Sequence, residues 1–358
     1  MTEIKPSYVW PATLKVPPRP PKLVYLDLNQ WIGLAKADTG HKGGAALRQA
    51  LDDCLDAVEQ GLAVFPISDS IYGEISKIGR HRQRRDLREV IERISHYIVV
   101  PCRSIVSAHE IESLVDRVLG RSPKPINVMS YLDWGVARAF GVVGGFRVKS
   151  REGKDVTEEV RLKYPLGPEA FDRELARAEL ELNRRVIEGP TAEEEPELRR
   201  YGWNPASSIA VNERRAEQEI DLVGRLDADP KWRRGRIRDV VAARELTIEL
   251  LDPFREALSD RGATVETFFA RSQDSPRILD AMPSFDVAVS LKASYHRDPN
   301  HRWTTNDIHD IDALGSTLPY CDIVVTDKAV ASHVERTGLA ERLQTTVLSR
   351  ITDVFERL

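Results

Sequence analysis

Apolar residues form short runs near both ends of the chain and fall at helical spacing through its middle. The run 23–26 (LVYL) reads as a first strand and stops at Asp27. Residues 45–60 carry Leu47, Leu51, Leu55 and Val58 at helical spacing, and Gly61 ends that helix. A second strand is predicted over 62–67. Ser68 suits an N-cap for a following helix that carries Ile71, Glu74, Ile75 and Ile78. Residues 80–94 predict another helix, strongly basic on one side, and 97–100 a short strand. Strands alternating with helices argue for a parallel sheet with helical crossovers.

From 104 to 281 strand-like runs almost vanish and charge rises. The spacing predicts amphipathic helices over 171–186, 209–226 and 239–258, with loops at 141–145, 193–197 and the basic stretch 231–238 (KWRRGRIR). The alternating pattern then resumes: helices over 285–294 and 304–318, strands over 323–325 and 345–348, and a short final helix over 351–358. Four segments follow. Residues 1–22 are a proline-rich arm of extended character. Residues 23–103 and 282–358 are two halves of one α/β core, and 104–281 is a mainly α-helical insertion between them.

A chain of 358 residues is long for one domain, and 41% hydrophobic residues allow a packed core. The net charge of −4 is unlike that of a simple nucleic-acid binder, which is usually basic. Cys54, Cys102 and Cys321 are odd in number, far apart and match no zinc spacing, which suits a reducing, cytoplasmic setting. The first residues contain no apolar stretch of signal-peptide length, and no uncharged apolar run approaches about 18 residues, so no membrane span is expected.

The chemistry is carried by acids. Asp27, Glu74 and Asp327 each sit at, or one to two helical turns beyond, the carboxyl end of a separate predicted strand. In a parallel sheet those ends share one edge, where ligands bind. Asp307 and Asp310 differ by three, so one helix face presents both. Each acid taken singly has an ordinary explanation. Strand-end aspartates cap turns, and carboxylates in a first helical turn gain about 0.3–1 kcal/mol from the helix dipole. Their joint placement is the signal. Carboxylates gathered at one edge repel unless a divalent cation neutralises them, and an all-oxygen donor set points to Mg²⁺ or Mn²⁺. Asp322 precedes its strand and stands roughly 16 Å from Asp327, at the opposite end.

At YLDLNQWIGLA, PISDSIYGEI and NDIHDIDALGSTLPYCDIVVTDK the chain resembles the PIN-domain nuclease family. The resemblance covers 22–100 and 282–358. It implies a PIN-like three-layer core around a central parallel sheet, with metal held by Asp27, Glu74, Asp310 and Asp327 and with Asp307 as a fifth catalytic acid. Asn29 matches the family's Asp-x-Asn and is expected to orient Asp27, and Thr326 belongs to the Thr-Asp step. Compact members lack an insertion like 104–281, and the last motif reads Thr-Asp-Lys without the commoner spacer. The implied activity is phosphodiester hydrolysis by water, with RNA the usual substrate: a Mg²⁺- or Mn²⁺-dependent endoribonuclease. Bound cations cancel catalytic acids, so the acidic net charge weighs less against such an enzyme. With one cation, a free carboxylate such as Asp307 is placed to accept the water proton. The alternative is an inactive PIN-like scaffold that binds RNA or a protein partner, with the helical insertion as the partner or inhibitor surface.

Other candidates carry less. Arg80, Arg84 and Arg88 follow Glu74 closely enough to flank the acids and touch substrate phosphate. The plainer explanation is a solvated helix face with salt bridges to Asp86, Glu89 and Glu92. KWRRGRIR suits backbone contact plus stacking on unpaired bases, although a charged loop explains it as well. Lys328 beside Asp327 suits either a phosphate contact or a plain surface lysine. His296, His301 and His309 match no zinc motif. The glycines at 141–145 lack the Lys-Ser/Thr of a phosphate loop. A haloacid-dehalogenase-type site wants a second Asp where Asn29 stands.

Overall fold

The computed structural model describes residues 21–122, 132–142, 146–200, 205–272 and 278–358. The proline-rich arm lies outside these residues except for Pro21 and Lys22, as do residues 143–145 of the glycine-rich stretch. Strand β1 is Lys22–Leu26, followed by α1 (Leu28–Asp38), a 3₁₀ turn (Lys42–Leu47), α2 (Arg48–Glu59) and β2 (Ala63–Val64). Gly61, at φ +67°, supplies the left-handed turn that separates α2 from β2. Next come α3 (Asp69–Ser76), α4 (His81–Ser95), β3 (Ile98–Val99), α5 (Arg103–Val118) and β4 (Asp133–Trp134). The central region supplies α6 (Pro168–Glu188), α7 (Pro205–Ala228), α8 (Ile237–Arg244) and α9 (Leu251–Ser259). The C-terminal part holds α10 (Pro283–Arg297), α11 (Thr305–Thr317), β5 (Ile323–Val325), α12 (Lys328–Arg336), α13 (Leu339–Leu343) and β6 (Thr346–Leu348).

The two ends of the chain build one sheet. Its order is β2-β1-β5-β6, and every pairing is parallel. β1 and β5 sit at its centre, and all of Leu23–Leu26 and Ile323–Val325 are buried. Central strands covered on both faces read as continuous apolar runs, and both do. The fold is therefore α/β with a parallel sheet of four strands. Asp322 is where its spacing puts it, at the start of β5, where its Oδ2 accepts from the Leu23 N–H at 2.9 Å.

Several elements differ from the sequence expectation. The strand at 97–100 does not join the main sheet. β3 pairs antiparallel with β4, and a single parallel bridge, Ile67 to Val99, connects that ribbon to the chain beyond β2. Local pattern gives a strand but not its partner, which is 36 residues further along for Ile98 and Trp134. The stretch 231–238 is not a loop: Pro230–Gly235 is helical and α8 begins at Ile237. Glu195–Arg200 is likewise a short helix. The helix expected over 239–258 is two helices joined by a π-helical turn at Glu245–Leu250. The final helix is a pair of 3₁₀ turns.

The apolar side chains form two clusters. One surrounds the sheet and includes Trp31, Phe65, Ile91 and Leu314. The other packs α7, α8 and α9 against α5 and α10 through residues such as Leu222, Phe254, Phe268 and Phe285. The helical region thus shares α5 and α10 with the sheet-bearing part. The three cysteines are buried and form no disulfide. Among the described residues no helix is long and apolar enough to cross a membrane.

Candidate metal centre

The parallel register of β1 and β5 fixes the site. Leu26 pairs with Val325, and the Asp27 N–H donates to the Val325 carbonyl at 2.9 Å. Asp27 and Asp327 therefore leave adjacent strands, about 4.8 Å apart, at the same carboxyl edge. Each also caps a helix. Asp27 Oδ1 accepts from the Leu28 N–H at the start of α1, and Asp327 Oδ1 accepts from the Val330 N–H (2.8 Å) at the start of α12. The positive ends of two helices thus face the carboxylates. The ordinary explanation of a strand-end aspartate is true here, and it leaves the other oxygen of each group uncommitted to the cap. Trp31 pins the turn: its buried indole N–H donates to the Leu26 carbonyl at 3.1 Å.

Glu74 arrives on α3. Ser68 caps that helix as expected, and its hydroxyl also bonds the Tyr25 hydroxyl of β1 at 3.0 Å. Asp310 arrives on α11, which α3 touches through the Ser70 hydroxyl and the His309 carbonyl (3.4 Å). Four carboxylates carried by the ends of β1 and β5, by α3 and by α11 thereby come within electrostatic range of one another. Burial raises the Asp310 carboxyl, and the charges of Asp27, Glu74, Asp327 and Asp307 push it further, to about 8. Burial and Asp27 push Glu74 to about 7. Asp27 is raised by burial and then by Asp327, against hydrogen bonds from the Leu28 N–H and Asn29. Asn29 thus sits where the Asp-x-Asn reading wants it. Thr326 is buried and ties β5 to β6 through its N–H and the Leu348 carbonyl (3.0 Å).

Asp307 also caps the helix that carries Asp310. It closes a capping box with Thr304, accepting from that residue's N–H at 2.6 Å and hydroxyl at 2.8 Å, and it lies 3.4 Å from His301 Nε2. Burial works to raise this carboxyl, but the bonds from His301 and Thr304 prevail and hold it below its usual range. It is a helix cap that also couples to Asp310. Of the expected phosphate contacts, Arg84 and Arg88 are committed. Arg84 donates to the Glu188 and Pro190 carbonyls, and Arg88 pairs with Glu188 (2.9 Å), Glu89 and Glu92 (both 3.2 Å), fastening α4 to the end of α6. Arg80 and Lys328 are exposed, at the N-cap of α4 and the first position of α12.

Three residues at the site carried no sequence signal. Tyr25, on β1, feels the charges of Asp27 and Glu74. Tyr295, on α10, feels those of Asp310, Asp307 and Asp327 and stacks on His301 at 4.6 Å. His301 itself reads as ordinary in the sequence. Only its six-residue lead over Asp307 hinted at the pairing.

Among the described residues no three His, Cys, Asp or Glu side chains already form a ligand set for a metal ion. The carboxylates couple electrostatically without having converged. Their chemistry fits a hard divalent cation: the donors are all oxygen, and the charge of a cation would offset the burial and the repulsion that raise Asp310 and Glu74. No family model, curated protein or solved structure matches this chain.

Proposed function

We propose that the protein is a metal-dependent nuclease with a PIN-like core, and specifically an endoribonuclease. The observation that carries this reading is the meeting of Asp27, Glu74, Asp310 and Asp327 at the carboxyl edge of a parallel sheet, with Asp310 raised to about 8. Purely structural carboxylates are paired with cations in folded proteins. These four are arranged against one another. Asp27, Glu74, Asp310 and Asp327 are the residues that would hold Mg²⁺ or Mn²⁺. When bound, the cation supplies a polarised water and neutralises charge that develops on the phosphate oxygens.

The chain's own residues prepare that event. The caps at Leu28 and Val330 fix the orientation of Asp27 and Asp327. Asn29 steadies Asp27. Asp310, raised to about 8, holds a proton near neutrality that a bound cation would displace, so loading would release protons. Incubation with single-stranded RNA, structured RNA and DNA, in Mn²⁺ or in EDTA, tests the reading. RNA cleavage that requires the cation and disappears in Asp27→Asn is expected. Failure of the wild type to cut any of the three in Mn²⁺ would sink the enzyme reading. Mn²⁺ titration then decides for the scaffold alternative if no binding is seen.

A further inference from the structure

A second charged feature lies beside α12, the helix that Asp327 caps. A cavity of about 420 Å³ opens among α8, α10, α12 and α13, lined by Arg238, Arg297, Arg336 and Arg342 together with Asp280 and Asp286. Arg238 is the last residue of the basic stretch KWRRGRIR.

Two of the arginines form a fixed floor. Arg238 donates to Asp286 Oδ1 (2.8 Å) and Asp280 (2.9 Å), and Arg342 to Asp286 Oδ2 (2.9 Å). Both also reach the Ser290 hydroxyl. The other two are surplus. Arg297 and Arg336 are exposed, and among the described residues no carboxylate lies within ion-pair distance of either. Four guanidiniums against two carboxylates leave a net charge of +2. A phosphodiester carries one negative charge, whereas a terminal phosphate carries about −1.5 to −2 at neutral pH. The cavity's charge matches the second. Its volume falls within the roughly 300–1,000 Å³ of small-molecule sites, with room for a sugar or base beside the phosphate. Guanidiniums are also the side chains best suited to bidentate phosphate contacts.

The cavity and the acids are neighbours. α12 begins directly after Asp327 and ends at Arg336, nine residues or about 13 Å away. Tyr295 lies between, near Asp310, Asp307 and Asp327 and near Arg336, and its ring packs 4.4 Å from His333, which touches Arg336 at 2.9 Å. We propose that this arginine cavity binds the terminal phosphate of a polynucleotide strand whose body runs toward the acidic edge. The strand rests on the nuclease reading, whereas the phosphate does not.

Binding of the full chain to short single-stranded RNA in EDTA, read by fluorescence anisotropy, tests this without cleavage. RNA with a 5′ or a 3′ phosphate should bind about ten-fold or more tightly than the same RNA with hydroxyl ends. The double variant Arg297→Ala/Arg336→Ala, which breaks no ion pair, should erase that difference, and Arg336→Lys alone should keep part of it. Equal binding of all end-forms, or a preference untouched in the double variant, would overturn the proposal. Competition by a nucleoside monophosphate at strand-like affinity would retain the phosphate site and overturn the strand as its source. An end preference that persists in a protein unable to cut RNA with Mn²⁺ refutes the nuclease reading and leaves the cavity standing.

Discussion

Asp310 and Asp312 are two residues apart on α11 and meet opposite surroundings. Asp310 faces other carboxylates and is pushed up to about 8. Asp312 is also buried, yet Arg215 and Arg103 hold its carboxyl below the usual range. It belongs to a network of ion pairs. Arg215 bonds Asp312 (2.9 Å) and Glu249 (3.0 Å), Arg103 bonds Asp312 (3.3 Å) and Glu245, and Lys292 joins Glu245 to Glu219 (2.9 Å each). Glu219 completes it with His296 at 2.8 Å. This network fastens α7 and the π-helical turn to α5, α10 and α11. One side of α11 therefore carries carboxylates paired with cations within the protein, and the other carries a carboxylate coupled to other carboxylates. Paired charge serves architecture; like charge held together at a stability cost makes a candidate site.

The largest test of this contrast is Glu245→Ala. Glu245 is 2% exposed and sits between Arg103 and Lys292, so its removal takes one of two carboxylate partners from each of two buried cations. A loss of about 3–5 kcal/mol in chemical denaturation is expected. A loss below about 1 kcal/mol, the size of an exposed pair, would show that the network does not hold the helices. On the other side of α11 the outcome inverts. Asp27→Asn or Asp327→Asn should reduce cleavage at least ~100-fold, about 2.7 kcal/mol of barrier, while the circular dichroism spectrum stays unchanged. Asn29→Ala, which acts through Asp27, should cost about 10–100-fold.

Cation loading should stabilise the fold. At 100 times its dissociation constant, Mn²⁺ is expected to add about 2.7 kcal/mol, measured by denaturation with and without EDTA. Because Asp310 and Glu74 must release protons first, affinity should rise as pH passes through about 7 and 8. An affinity flat across that window would break the link between these carboxyls and the ion. The smallest effect is that of Asp310→Asn in the cation-free protein. Asp310 binds its proton more tightly folded than unfolded. Its contribution is thus fully present below its ordinary value of 3.8 and is lost as pH rises through about 8. The Asn variant should be more stable than wild type by about 1–2 kcal/mol above pH 8, and the gain should vanish toward pH 4. A variant less stable than wild type at pH 8 would mean that Asp310 has a partner within the fold.

The sequence by itself determined the strands that run apolar on both faces, the Ser68 cap, and the placing of Asp27 and Asp327 just past β1 and β5. These depend on period and on neighbours a few residues away, and such signals survive in a linear string. It also showed that Asp322 and Asp327 must lie at opposite ends of one strand, because strand rise is fixed. Tertiary structure alone decided the rest. That β3 pairs with β4, that Arg84 and Arg88 hold α6, and that Asp307 is taken by His301 and Thr304 each depend on which segment arrives opposite. Asp310 and Asp312 look alike in the chain. They differ because Coulomb energy falls with distance in space, and spatial distance between remote segments is written in the fold rather than in the order of residues.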